Sequence, residues 1–261
     1  MSTLFRHENL GNVMVIWNCN PGQRNALSPE YYEGVLSGLE DAAADPAIAA
    51  VVLAGEGGFF CSGGNLNMLK ERRELSLEDR KIQIEKLSAI MRAIRACPKP
   101  VIAAVEGGAA GAGLSLAMAC DMIVAAEGAK FTLAYVKAGL VPDGGATYAL
   151  SQALPRATVT RMAMLGEPLG AERMWALGAV SELVAEGEAV AAACDLGNRL
   201  AQGPEVAISE IKTLINQSES ASFEDQLTHE RDAMATALGG DEAQIGINAF
   251  LNKKSPVFRQ G

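Results

Sequence analysis

Residues 101–126, VIAAVEGGAAGAGLSLAMACDMIVAA, decide the fold. Val101 to Val105 is an unbroken apolar run of strand length, and Gly107 to Gly113 is a glycine-rich turn. Leu114, Leu116, Ala117 and Met118 continue as a helix, and residues 121–126 form a second short strand. A strand that is apolar throughout, rather than at alternate positions, is covered on both faces. Strand, turn, helix and strand in that order predict a parallel pair with the helix packed across it.

The same unit recurs upstream. Residues 48–54 (AIAAVVL) read as a buried strand, and Gly55 to Gly64 as a glycine-rich loop containing Phe59 and Phe60. Residues 65–80 are rich in charge and begin with a short helix, after which Ile84, Leu87, Ile90, Met91 and Ile94 recur at helical spacing. Cys97-Pro98-Lys99-Pro100 ends that helix. Nearer the N-terminus, residues 12–18 are a strand and Pro21-Gly22 a turn. Ser28 and Pro29 are suited to the N-cap and first position of a helix running through Tyr32, Val35, Leu36, Leu39 and Ala43. From Pro155 onward the strand signal nearly vanishes, and helices are predicted near 156–165, 171–177, 187–202, 204–217, 222–237 and 241–252. No linker is long or polar enough to mark an independent domain.

Composition narrows the class of function. The chain has 261 residues and a net charge of −9, so it lacks the basic footprint of a nucleic-acid binder or a partner for anionic membranes. Charged residues make up 20%, a little under the usual share, which points to surface covered by another subunit. The five cysteines, Cys19, Cys61, Cys97, Cys120 and Cys194, are odd in number and widely spaced. That pattern suits reduced thiols in a cytoplasmic protein better than a disulfide framework or a metal knuckle. The N-terminus shows no signal-peptide pattern, and no apolar run reaches membrane-spanning length.

Two turns carry the candidate chemistry: Phe60-Cys61-Ser62-Gly63-Gly64-Asn65, and Gly107 through Gly113. Small residues let a ligand approach the main chain, and the second turn opens a helix whose first N–H groups are free. The pair either converges on an oxygen that gains negative charge or serves close helix–strand packing. Neither turn matches a nucleotide fingerprint. Pro142-Asp143-Gly144-Gly145, read alone, is an ordinary turn sequence.

Taken together, these segments resemble the crotonase superfamily, the enoyl-CoA hydratase/isomerase family. The resemblance rests on Gln23-Arg24-Asn25-Ala26-Leu27, on Phe60 through Leu66, and on Glu106 to Asp121. It continues in Lys130-Phe131 with Gly139 through Gly145, and in Phe250-Leu251-x-Lys253-Lys254-x-Pro256-x-Phe258. It implies an α/β fold of crotonase type: a ββα spiral core over residues 1–195 holding an acyl-coenzyme A site, and a helical C-terminal trimerisation region over 196–261, as one structural unit. It further implies a homotrimer or hexamer, with coenzyme A thioesters as substrates and neither a cofactor nor a metal.

By the same resemblance, the N–H groups of Gly64 and Ala112 are the oxyanion donors. Arg24, Ala26 and Leu27 meet coenzyme A, while Gly63, Asn65, Leu66, Gly111, Ser115 and Tyr135 border the substrate. Lys253 is a candidate for a phosphate, or is simply solvated surface charge. The chain departs from the family at its acids. The two positions that carry glutamates in typical hydratases hold Ser115 and Tyr135, and Asp143 matches the catalytic aspartate of isomerase-type relatives. The implied chemistry is therefore isomerase-type proton transfer by one aspartate. Hydration or hydrolysis with water held by Asp143, and thioester binding without turnover, are the alternatives.

Overall fold

A computed structural model describes residues 4–259. Its main sheet has six strands in the order β1 (Phe5–Leu10), β2 (Val13–Asn18), β3 (Ala50–Gly55), β4 (Val101–Val105), β6 (Met122–Ala126) and β9 (Glu182–Val184). A smaller sheet joins β5 (Gly108–Ala110), β7 (Lys130–Thr132) and β8 (Pro168–Gly170). All neighbours in the main sheet are parallel except β1 and β2.

Alternation along the strands builds two cores. Met14, Ile16, Val51, Leu53, Val101, Ala103 and Val105 point to one side, against α1 (Pro29–Ala44), α3 (Leu77–Ala96) and α4 (Ala112–Ala119). Val13, Val15, Ala50, Val52, Ile102, Ala104 and Val124 point to the other, where α8 (Ala189–Leu200) covers them with Ala189, Ala193, Cys194 and Leu196. Both faces are buried, which is why these strands read as continuous apolar runs.

Successive spiral turns give one strand to each sheet where β4 is followed by β5 and β6 by β7. Single-residue bridges Leu27↔Gly64 and Cys61↔Ala109 extend the small sheet to the first glycine loop. Cys61, Ala109, Phe131 and Leu169 thus lie in successive register across it. The small sheet sets both glycine turns side by side.

The sequence reading overlooked several elements. β1 alternates around charged residues and pairs antiparallel at the sheet edge. β5, β7, β8 and β9 are three residues each, too short to show a period. Two of them follow Pro155, so that half is not purely helical. α5 (Ala146–Ala153) was also not foreseen; it is two turns long and follows directly on the glycines at 144–145. The other helices after Pro155 agree with the reading: α6 (Arg156–Leu165), α7 (Ala171–Ala176), α9 (Glu205–Ser218), α10 (Phe223–Leu238) and α11 (Asp241–Leu251). No helix among the described residues is long and apolar enough to cross a membrane.

α8 runs through residues 195–196, and the helices beyond it attach to the core by charge more than by apolar packing. Lys212 of α9 is 7% exposed and donates to Asp121 Oδ2 at 2.7 Å, to the Ile94 carbonyl at 2.8 Å and to the Lys99 carbonyl at 3.1 Å. Asp121 in turn accepts from the N–H of Val101 at 2.7 Å. Removing the ammonium leaves two carbonyls and the Asp121 carboxylate, whose side chain is 21% exposed, without their donor. Lys212→Met is therefore expected to lower stability by about 3 kcal/mol, measured by chemical denaturation. A change below about 0.5 kcal/mol would rank this pair with exposed surface ion pairs.

Candidate active site

The first glycine loop is shaped by Asn25. It is fully buried with φ 55°, and its amide donates to the carbonyls of Glu56 at 2.8 Å and Phe59 at 2.5 Å. Its Oδ1 accepts from the N–H of Asn20 at 3.0 Å. One side chain thereby ties residues 20–27 to the loop. The sequence reading quoted Asn25 within its motif but gave roles only to its neighbours. Beside it, Leu27 is buried and donates its N–H to the Gly63 carbonyl at 2.8 Å, and Ala26 is buried. Arg24 is exposed, with its guanidinium 5.7 Å from the centre of the Phe59 ring.

The two turns meet main chain to main chain. A Cβ on Gly63 would stand 2.6 Å from the Ala110 carbonyl oxygen and 3.0 Å from the Ala112 nitrogen, and Gly63 has φ 90°. A Cβ on Gly113 would stand 2.4 Å from the Cys61 carbonyl oxygen. Only hydrogens fit at these positions, so the peptide joining Gly63 to Gly64 lies next to the start of α4. Gly111, at φ 51°, is the N-cap of α4 and leaves its first turn without a side-chain cap. Among the described residues, no carbonyl or side chain accepts from the N–H of Gly64 or Ala112. Gly64 is exposed and Ala112 is buried beneath it, at the positive end of α4.

A hydroxyl–carboxylate cluster adjoins this pair. Ser115 lies one helical turn after Ala112 on α4 and is 1% exposed. Its Oγ donates to the Asp143 main-chain carbonyl at 2.9 Å and lies 3.1 Å from the Tyr135 hydroxyl. Tyr135 donates to Asp143 Oδ1 at 2.8 Å. The Tyr135 ring reaches back to the turn, its Cζ 4.0 Å from where a Cβ on Gly111 would stand.

Burial pushes the Asp143 carboxyl above its ordinary value. The Tyr135 hydrogen bond, its own N–H and the Arg72 charge act against that shift without cancelling it. Burial, with the Asp143 charge beside it, also pushes the Tyr135 phenol well up, so Tyr135 stays protonated and acts as a donor.

Of the remaining residues, Asn65 caps α2 (Leu66–Arg72) by accepting from the N–H groups of Asn67 and Met68, and donates to Gln23 Oε1 at 2.8 Å. Leu66 is 71% exposed. Lys253 stands apart from the others: it is exposed and follows α11, which packs on α10 and not on the sheet.

The two-sheet spiral, with its apposed glycine turns beside a half-buried carboxylate, is an α/β enzyme architecture that known proteins share. The chain belongs to the enoyl-CoA hydratase/isomerase family, whose model matches residues 8–261. It is 33% identical to the 1,2-epoxyphenylacetyl-CoA isomerase of Escherichia coli strain K12, over 99% of this chain and 98% of that protein. It is 30% identical to the 2,3-dehydroadipyl-CoA hydratase of the same strain, over 95% of each. The crystal structure of an enoyl-CoA hydratase from Polaromonas sp. JS666 superposes with a TM-score of 0.95 at 41% identity, covering 98% of this chain and 99% of that one. An isomerase and a hydratase match almost equally well, so the names do not choose between the reactions.

Gly63→Ala tests the contact between the turns. Its methyl cannot be placed without moving the Ala110 carbonyl and the Ala112 N–H, so kcat is expected to fall about a hundredfold while the protein stays folded by circular dichroism. Unchanged kcat would show that the apposition of the turns does not matter to catalysis.

Proposed function

We propose that this chain is an isomerase-type acyl-coenzyme A enzyme in which Asp143 alone moves the proton. The observation that carries this reading is the Tyr135–Asp143 hydrogen bond at 2.8 Å, with Ser115 on the same cluster. The two positions where the family resemblance expects glutamates hold hydroxyls instead: Tyr135 donates to the Asp143 carboxylate, and Ser115 donates to the Asp143 main-chain carbonyl. Adding water across a double bond calls for one group to activate water and another to protonate carbon. Moving a double bond needs only one group, which takes a proton from one carbon and returns it to another.

In this reading the thioester oxygen accepts from the N–H groups of Gly64 and Ala112, where negative charge gathers as the neighbouring carbon loses its proton. Tyr135 occupies Asp143 Oδ1 and sets the carboxylate's orientation, leaving Oδ2 for the substrate. Burial makes Asp143 a better base than a solvated carboxylate. As a carboxylic acid it can then return the proton. The reaction requires no resident cofactor or metal.

The exposed apolar side chains of Phe223, Met234, Phe250 and Leu251 support assembly into trimers or pairs of trimers, since α10 and α11 bury no residue within one protomer. Hydration, the reaction in one relative's name, remains the second reading.

Asp143→Asn is expected to keep coenzyme A ester binding and to lower kcat about a thousandfold or more. Full activity would remove Asp143 from the mechanism, and a wild type that binds thioesters tightly but turns none over would favour a binding protein. Product formed in heavy-oxygen water should carry no label; incorporation would establish hydration or hydrolysis. Stability gives a check on the variant. A carboxyl whose folded pKa is raised imposes no cost below its unfolded value near ~3.9, and destabilises the native state as pH rises through the folded value. Asp143→Asn should therefore be at least as stable as the wild type at neutral pH.

The pH profile is a separate test. The base must be ionised, so kcat/KM should rise with pH along an acid limb placed above the ordinary carboxylate range. Tyr135→Phe removes a hydrogen bond that favours the ionised form, so the limb should move to higher pH. A limb that stays in place would mean that Tyr135 does not hold the catalytic carboxylate.

A further inference from the structure

The helix that follows the first glycine turn carries a cation whose guanidinium has no partner. α2 begins at its Asn65 cap, and its residues divide cleanly by exposure. Asn65, Met68, Leu69 and Arg72 are half-buried, while Leu66, Asn67, Lys70 and Glu71 are exposed. Positions spaced by three and four share one helical face. That face is turned toward the site, because Leu69 Cδ1 lies 3.4 Å from where a Cβ on Gly64 would stand. Arg72 is one turn further along the same face, at the end of the helix away from the oxyanion turn.

Among the chain's arginines the position is singular. Arg6, Arg92, Arg95, Arg161, Arg199, Arg231 and Arg259 each pair with an acid. Arg24, Arg73, Arg80, Arg156 and Arg173 are exposed to solvent. Arg72 alone is half-buried with a guanidinium that makes no ion pair or hydrogen bond among the described residues. Its charge is nevertheless felt inside the site. It draws the Asp143 carboxyl down against burial, and it does the same to the phenol of Tyr32 on α1, which burial pushes up to about 12. Arg72 thus shares the half-buried face of α2 that Leu69 sets against Gly64, and Asp143 itself is engaged by Tyr135 and not by the guanidinium.

We propose that Arg72 is a specificity-determining residue that binds a second carboxylate at the far end of the acyl group, so that the site prefers thioesters of dicarboxylic acids. The proposal rests on the acyl-thioester reading of the site and deepens it by naming the substrate class. A guanidinium partly withdrawn from water, with five donors and no acceptor, is suited to a planar anion that arrives with the ligand. An acyl chain anchored at Gly64 and Ala112 and passing Asp143 would present its far end to this face of α2.

The test uses saturated thioesters, which bind without isomerisation or hydration. Coenzyme A thioesters of hexanedioic and octanedioic acid are titrated against those of hexanoic and octanoic acid by calorimetry, with the wild type, Arg72→Gln and Arg72→Lys. The wild type is expected to bind the diacid thioester about tenfold or more tighter at one of the two lengths. Arg72→Gln should erase that ratio and Arg72→Lys should keep part of it. Because each ratio compares two ligands on one protein, an indirect effect of Arg72 on Asp143 cancels. Equal affinity of the wild type for diacid and monoacid at both lengths overturns the proposal, as does a preference that survives Arg72→Gln. If none of the thioesters binds, diacid or monoacid, the acyl-thioester reading fails and this proposal falls with it.

Discussion

The contact of Gly63 with the Ala110–Ala112 main chain is the constraint on which the site depends. Two loops that are far apart in sequence approach so closely that a methyl group would collide with backbone at 2.6 Å. Backbone cannot rotate aside as a side chain can, so this approach is set by the sheets beneath it. The bridges Leu27↔Gly64 and Cys61↔Ala109 are the last rungs of the small sheet, and β5 carries the second turn directly into α4. The donors are thus placed by strand register, and the side chains around them are free to differ between relatives.

That freedom is visible in the acids. Ser115 follows Ala112 by one turn of α4, and Tyr135 lies on the 3-10 turn Ala134–Ala138 after β7. Both are held by the same spiral framework that holds the donors. With hydroxyls at these positions, the carboxylate comes from a third element, the turn before α5; Tyr135 donates to the carboxylate, and Ser115 holds the main-chain carbonyl of the same residue. The carboxylate therefore has its own place in the chain, separate from the strands that set the two glycine turns together.

The buried strands and long helices were legible because their cause is local: a strand covered on both faces must be apolar throughout, and an amphipathic helix must repeat. β2, β3, β4, β6 and the helices after Pro155 follow from those patterns. The small sheet was not legible. Its strands are three residues long, and what makes them strands is pairing with segments 20 to 60 residues away, as in Gly108↔Lys130 and Thr132↔Pro168. The same cause hid the spiral. Among the site residues, Gly63, Gly64 and Gly111 announce themselves as glycines, but nothing local distinguishes the Pro-Asp-Gly of residues 142–144 from an exposed turn. Family resemblance singled out Asp143; the structure adds that its carboxylate is half-buried beneath a tyrosine that donates to it. Arg72 left no signal in a stretch where Lys70, Glu71, Arg73 and Glu74 surround it. Only the helix face separates it from those solvated neighbours.

The electrostatics of the site are a balance held short of neutralisation. Burial disfavours the Asp143 anion; Tyr135 and the field of Arg72 favour it, and burial prevails. A direct Arg72–Asp143 pair would reverse that order and give a strongly acidic carboxylate, stable as an anion and poor at taking a proton from carbon. A tyrosine is the weaker partner. It donates one hydrogen bond, carries no charge, and its own raised pKa keeps it protonated over the working range. Keeping the guanidinium within electrostatic reach but out of contact leaves Asp143 basic, and leaves the guanidinium's donors free for an anion brought by the ligand. In the roles proposed for them, the spacing between these two groups, more than the identity of either, would let one wall of the site serve proton transfer and recognition together.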